Sequence, residues 1–439
     1  MQLDLFKTLP KLAEEKLHPK YKLLRDNFTI MGAKEILLEW SDGFVDRDNK
    51  IVEEFQTSYH ATFWELYIHA VLKEVGRVHM SHPRPDFLVE SDTCPQFYVE
   101  ATTANIKQGG RQECHRNIMD IFKILWEPIF RRPDFDEVMR EAIIRHSNSF
   151  VVKSSKYCQS YRTLSHVNKD TPFVIALGGY EQIDYGQEAF YPMIALLYKS
   201  FYNPTVDSYC QKEFVLKDNN SPIQLGLFCD DTYKHVAAVV FSCVATHGKL
   251  CAMAVSQQKT LLLPQQILNI RHDYDFPHFK LQEVSVKVPE TLTDGLFIFH
   301  NPYAENPLSD EVFKKTDAIQ IHVKGKDLQF ESNTLPIIAR CNSAIPLPLN
   351  FFGALINQAY NPGYIVDSFF VYEIDERIDT PEMTLISYNG DYIRIVDLLP
   401  HELIELKTKG ITKGDFVGVG LDSRNPMCVK LLHLDKISS

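Results

Sequence analysis

Three carboxylates in the first quarter of the chain sit where solvation explains them poorly. Glu65 lies inside the apolar run Phe63-Trp64-Glu65-Leu66-Tyr67. Asp86 follows Pro85 in Arg84-Pro85-Asp86-Phe87-Leu88-Val89, and Glu100 stands in Phe97-Tyr98-Val99-Glu100-Ala101-Thr102. An acid between Val99 and Ala101 is costly to bury unpaired. Carboxylates grouped in twos or threes hold hard divalent cations such as Mg2+ or Mn2+ through oxygen. Such an ion lowers the pKa of a bound water from about 16 towards about 7 and offsets charge on a phosphate. The chemistry that this set would serve is hydrolysis of a phosphodiester, with a Lys to orient the water or the scissile phosphate.

The acids need elements to bring them together. Phe63, Trp64, Tyr67, Ile68, Val71 and Leu72 have helical spacing, with Thr57 or Ser58 as cap and Gly76 as stop. Residues 85–89 and 96–102 read as strands joined by the turn Asp92-Thr93-Cys94-Pro95. An antiparallel hairpin of this kind brings Asp86 and Glu100 to one end of a sheet, and the helix carrying Glu65 can pack across that end. Residues 8–40 read as two helices, 111–130 as another, and about 135 to about 161 as a longer one. Short buried strands are expected at 171–177, 236–241 and 295–300. The turn-rich segment from His300 to Leu308 places a domain boundary near 310. The expected organisation is an N-terminal helical segment (1–50), a central domain (51–310) and a smaller β-rich accessory domain (311–439).

A helix Glu, then Pro-Asp, a hairpin and a second acid on the following strand resemble the PD-(D/E)XK, or restriction-endonuclease-like, nuclease superfamily. The pattern is similar to that of uncharacterised bacterial members with an FWELY…PDF…EA signature. Here the matching residues are Phe63-Trp64-Glu65-Leu66-Tyr67, Pro85-Asp86-Phe87 and Val99-Glu100-Ala101. Pro172-Phe173-Val174-Ile175-Ala176-Leu177 and His300-Asn301-Pro302 follow in order. The resemblance covers about residues 50–310. It implies an α/β (α+β) fold with a mixed central sheet flanked by helices. It also implies Glu65, Asp86 and Glu100 as catalytic metal ligands for Mg2+ or Mn2+, and DNA as substrate. A homodimer and a role in restriction or defence follow from the same resemblance. The superfamily's Lys falls at Thr102. A helix supplies it in some members, and Lys153 or Lys156 is the expected replacement, with Arg145 and Asn148 on phosphate. Residues 145 and 156 are about three helical turns apart and share a face. If neither Lys reaches the acids, the chain reads as a degenerate module that binds nucleic acid or protein. A further reading uses Glu65 and Glu100 as acid and base for glycoside cleavage in an aromatic-lined cleft.

Composition bounds these readings. A chain of 439 residues implies two or three domains. The net charge of −11 argues against a protein that coats nucleic acid nonspecifically, but leaves room for a local basic channel. The nine cysteines are scattered, with no Cys-x-x-Cys, which reads as free thiols in a reducing cytoplasm and argues against structural zinc. No run of 18 apolar residues suggests a membrane span, and no signal sequence is visible at residues 1–7. His60, Glu65 and His69 do not have zinc-protease spacing. His69 reads as a core histidine and His300 as a residue that fixes its loop.

Overall fold

The computed structural model describes residues 3–437 except 105, 107, 108, 112, 118, 119, 121–126, 181–187, 205–207, 260–264, 274, 326, 344–348, 378, 379, 389, 426 and 427. The fold is mixed α and β and divides into two compact units. Unit one holds residues 1–271 and 282–346, and unit two holds 272–281 and 347–439.

Unit one is built on a sheet of eight strands. They are β1 (Arg77–His79), β2 (Phe87–Ser91), β3 (Cys94–Ala104), β4 (Phe173–Gly179), β5 (Ala238–Ser242), β6 (Phe297–His300), β7 (Ile319–Lys324) and β8 (Asp327–Glu331), hydrogen-bonded in that order. The first three form an antiparallel meander. β3, β4 and β5 run parallel. β6 is antiparallel to β5 and parallel to β7. Every residue of β4 is buried, as expected of a parallel strand covered on both faces.

The helices of this unit are α1 (Pro19–Asp26), α2 (Met31–Trp40), α3 (Ile51–Thr57), α4 (His60–Val75), α5 (Phe135–Gln159), α6 (Tyr191–Tyr198) and α7 (His247–Ser256). A parallel β3–β4 pair requires a long crossover, which includes the 25 residues of α5. Asp136 and Glu137 in its first turn and Lys156 in its last suit the helix dipole. α4 is locked onto the sheet by the Trp64 indole N–H, which donates to the Ala176 carbonyl at 3.0 Å. The indole also explains Gly178, where an added Cβ would lie 2.9 Å from Trp64 Cδ2 and 2.6 Å from Tyr180 Cε2.

Two expectations change here, and a third falls largely outside the described residues. Residues 1–50 are no separate segment, because Trp40 packs on Tyr67 with ring centroids 5.2 Å apart and joins the same core. The boundary lies near 346, not 310, because β7 pairs with β6 in register (Phe297 with Ile319) and extends the main sheet. Of the helix expected at 111–130, residues 112, 118, 119 and 121–126 lie outside the described residues. The described part holds short 3-10 turns at Glu113–His115 and Ile129–Arg131, and Asp120 is helical.

Unit two is the β-rich module in its observed extent. After α8 (Leu349–Tyr360) come β9 (Tyr364–Asp375), β10 (Glu382–Ser387), β11 (Ile393–Asp397), α9 (Pro400–Thr408), β12 (Phe416–Asp422) and β13 (Lys430–Lys436). The strands close a barrel in the order β9-β10-β11-β13-β12. Period-two alternation turns Phe369, Val371, Met383, Leu385, Val396, Val417 and Val419 inward. This is the order of a five-stranded Greek-key barrel. Architecture alone assigns it no ligand, and residues 347–439 carry 8 Lys and Arg against 13 Asp and Glu, a poor balance for binding phosphates. Among the described residues, no helix is long and apolar enough to cross a membrane.

Candidate metal-binding active site

The β2–β3 register pairs Phe87 with Val99, so Asp86 stands across from Glu100 at the end of the hairpin. Asp86 Oδ2 accepts a hydrogen bond from the Ala101 N–H at 2.9 Å. Its Oδ1 lies 3.5 Å from Arg47 Nη2. Arg47 is itself held by the carbonyls of His82 (2.6 Å) and Asp86 (3.1 Å). Glu100 is only 1% exposed. Its Oε1 accepts from Lys153 Nζ at 2.7 Å and from the Tyr161 hydroxyl at 2.9 Å. Arg84 Nη1 donates to the same hydroxyl at 2.8 Å. Glu100 Oε2 is buried and has no hydrogen-bond partner among the described residues. A buried carboxylate oxygen left in this state costs about 1–3 kcal/mol or more unless something satisfies it.

The electrostatics agree with a site short of positive charge. Burial, then the nearby Asp86 carboxylate, pushes the Glu65 carboxyl up to about 8, against the pull of Arg47 and Lys153. Burial, then Glu100, pushes Asp86 up to about 6, against Lys153, the Ala101 N–H and Arg47. Burial, then Glu100, raises Tyr161 to about 12, so it remains a phenol and a donor. Asp86 thus lies within electrostatic reach of both Glu65 and Glu100. The ligand atoms of the three do not all lie within 4.8 Å of one another, so an ion held by all three would have to draw them together. Their all-oxygen donor set suits Mg2+ or Mn2+.

The raised values have a consequence for stability. Both acids bind protons more tightly folded than at their ordinary values of 4.5 and 3.8. Their contribution therefore favours the fold at low pH and is lost as pH rises through about 6 for Asp86 and about 8 for Glu65. A divalent ion held by these acids would have to displace those protons. The expected result is a thermal midpoint that Mg2+ or Mn2+ raises little near pH ~5.5 and much more near pH ~8.5. Differential scanning fluorimetry checks this, and an equal shift at both pH values would contradict it.

The other expected site residues separate. Lys153 reaches Glu100. Lys156 is exposed, three residues later, after a helical rotation of about 60° and a rise of about 4.5 Å. Asn148 is exposed and accepts from Lys217 Nζ at 3.4 Å. Arg145 is buried, 3.4 Å from Glu188 Oε1 and from the carbonyls of Ala104 and Tyr180. Glu188 is also fully buried. Arg145→Ala should therefore destabilise the fold by about 3–5 kcal/mol by stripping a buried carboxylate of its counter-charge. Urea denaturation checks this, and unchanged stability would refute it. Sequence reasoning missed Arg47, Arg84 and Tyr161. Arg84 at least adjoins the Pro-Asp motif. Arg47 sits between Asp46 and Asp48 and carries no local signal.

A second group of donors, His18, His60 and Glu113, lies within 4.8 Å. There the Lys20 ammonium stands 3.4 Å from Glu113 Oε2 and already supplies the cation. His69 is a core histidine, with Nδ1 3.1 Å from the Trp40 carbonyl. Comparison with protein-family models, with curated proteins and with solved structures finds no match to this chain.

Proposed function

We propose that unit one is a Mg2+- or Mn2+-dependent nuclease of the PD-(D/E)XK type, with Glu65, Asp86 and Glu100 as metal ligands and Lys153 in the role of the Lys missing at Thr102. The observation that carries this reading is the buried Oε2 of Glu100, which has no hydrogen-bond partner among the described residues, in a strand pair that also presents Asp86. The order of elements supports it as well: a helix with Glu65, a hairpin with Asp86 and Glu100, then the crossover helix with Lys153.

When bound, the ion would acidify a water and offset charge on the scissile phosphate. The chain's own residues do the positioning. Arg47 and the Ala101 N–H hold the Asp86 carboxylate from two sides. The Arg84–Tyr161 pair and Lys153 fix Glu100 through Oε1 alone, which leaves Oε2 to face a ligand. Lys153 keeps two further N–H donors for a phosphate oxygen or the attacking water. Glu65 would hold the ion as a carboxylate, having lost its proton. Arg47, Arg84 and Lys153 are engaged by Asp86, Tyr161 and Glu100, and leave the buried carboxylates short of positive charge that an ion would supply.

DNA as substrate, action as a homodimer and a role in restriction or defence are proposed on the superfamily's habits. The test is cleavage of supercoiled plasmid, linear DNA and single-stranded RNA with Mg2+, with Mn2+ and with chelator. Cutting of DNA that the chelator stops is the expected result. A folded protein that binds no divalent ion and cuts none of the three would instead be a degenerate nuclease-fold module.

A further inference from the structure

Two histidines meet at the far side of the same sheet. Parallel pairing sets Phe299 beside Ile321, so His300 and His322, the next residues, emerge side by side. Their rings stack 4.3 Å apart at an interplanar angle of 14°. Asp310, in the 3-10 turn Asp310–Val312, places Oδ1 3.7 Å from His300 Nδ1 and 4.0 Å from His322 Nε2. One ligand atom from each of the three residues lies within 4.8 Å of the others.

The residue that organises this cluster is Gln320. It shares a strand face with His322, two positions away. Its amide nitrogen donates to the Asp310 carbonyl at 3.0 Å, so its amide oxygen is the atom 3.0 Å from His300 Nε2. That oxygen can only accept, which puts the His300 proton on Nε2 and leaves the Nδ1 lone pair facing Asp310. His300 is only 7% exposed. His322 Nε2 is buried and, among the described residues, has no hydrogen-bond partner. A histidine whose second nitrogen donates to a fixed carbonyl is the usual outer arrangement of a metal ligand.

We propose that His300, His322 and Asp310 form a second metal site, which takes a Zn2+-class ion through His300 Nδ1, His322 Nε2 and the Asp310 carboxylate. Imidazole nitrogen selects borderline ions of this class, whereas Mg2+ prefers oxygen. Ligand atoms about 2.0–2.1 Å from a tetrahedral ion are about 3.4 Å apart, so the observed separations need a small contraction, and one ring must turn out of the 14° stack so that both in-plane lone pairs meet the ion. Asp310, 57% exposed on its turn, is free to make it. Three protein ligands leave a fourth position for water. The ion would clip the segment 301–310 onto the ends of β6 and β7. The donors are not cysteines, so the scattered thiols do not bear on it. The proposal does not rest on the nuclease reading.

The test uses the full chain carrying Asp86→Ala and Glu100→Ala, stripped with chelator, so that the first site cannot contribute. Calorimetric titration with Zn2+ should find one equivalent bound, and Co2+ should give the visible absorption of a tetrahedral site. The same titrations on the unaltered chain with excess Mg2+ guard against misfolding of the double variant. Asp310→Asn changes an exposed side chain and keeps the fold; it and His322→Gln should each weaken Zn2+ binding about 100-fold or more. No binding of Zn2+ or Co2+ by the folded protein would overturn the proposal, and so would binding that survives both substitutions.

Discussion

Glu100→Gln is expected to abolish metal-dependent cleavage, with a loss of about 10³-fold or more, while the protein stays folded and is no less stable. A metal-held transition state draws several kcal/mol from its ion, and each 1.36 kcal/mol is about tenfold in rate. Stability should not fall because the native carboxylate is itself a burden. It is buried, and one of its two oxygens is unpartnered among the described residues. The amide retains an oxygen to accept from Lys153 and Tyr161. Asp86→Asn should behave alike, since burial and the neighbouring Glu100 hold the Asp86 carboxyl above its ordinary pKa, and the amide removes that unfavourable charge. Plasmid cleavage and thermal unfolding of the same samples check the pair of outcomes. Lost activity accompanied by a collapsed midpoint would mean that these acids serve the fold, not the chemistry.

The second large effect separates two lysines three residues apart. Lys153→Ala should lower cleavage by about 10²- to 10⁴-fold, the range for a positioned proton donor or acceptor. It should also destabilise the apo protein by about 1–3 kcal/mol, because Glu100 loses its cationic partner. Mg2+ should restore part of that stability by supplying the missing positive charge. Lys156→Ala should leave activity unchanged and stability within about 0.5 kcal/mol, as expected for an exposed side chain. Equal losses in the two variants, or none in either, would remove Lys153 from its role.

Much of the site was legible because its carboxylates are close in sequence and the local periods are strong. Asp86 and Glu100 are joined by one short turn, and strand pairing brings them opposite each other in any in-register hairpin. Helical spacing placed Glu65 on α4, and α5 was evident from its length. The choice between Lys153 and Lys156 was not legible, since the two lysines lie about 60° apart around the helix and only the packing of α5 on β3 separates them. Arg145 shows the same limit, because a helix pattern gives a face but not what covers it.

Long-range decisions lie further still from the sequence. Arg47 reaches Asp86 across 39 positions, which nothing local specifies. The turn-rich segment after His300 looked like a boundary, yet the chain returned to pair β7 with β6, and that pairing set His322 beside His300. By itself, then, the sequence determined the individual helices and strands, the hairpin and its facing acids, because these follow from propensity and period over fewer than about 20 residues. Tertiary structure alone decided where the sheet ends, which cation meets which acid, and which histidines meet, because those choices depend on the packing of segments that are distant along the chain.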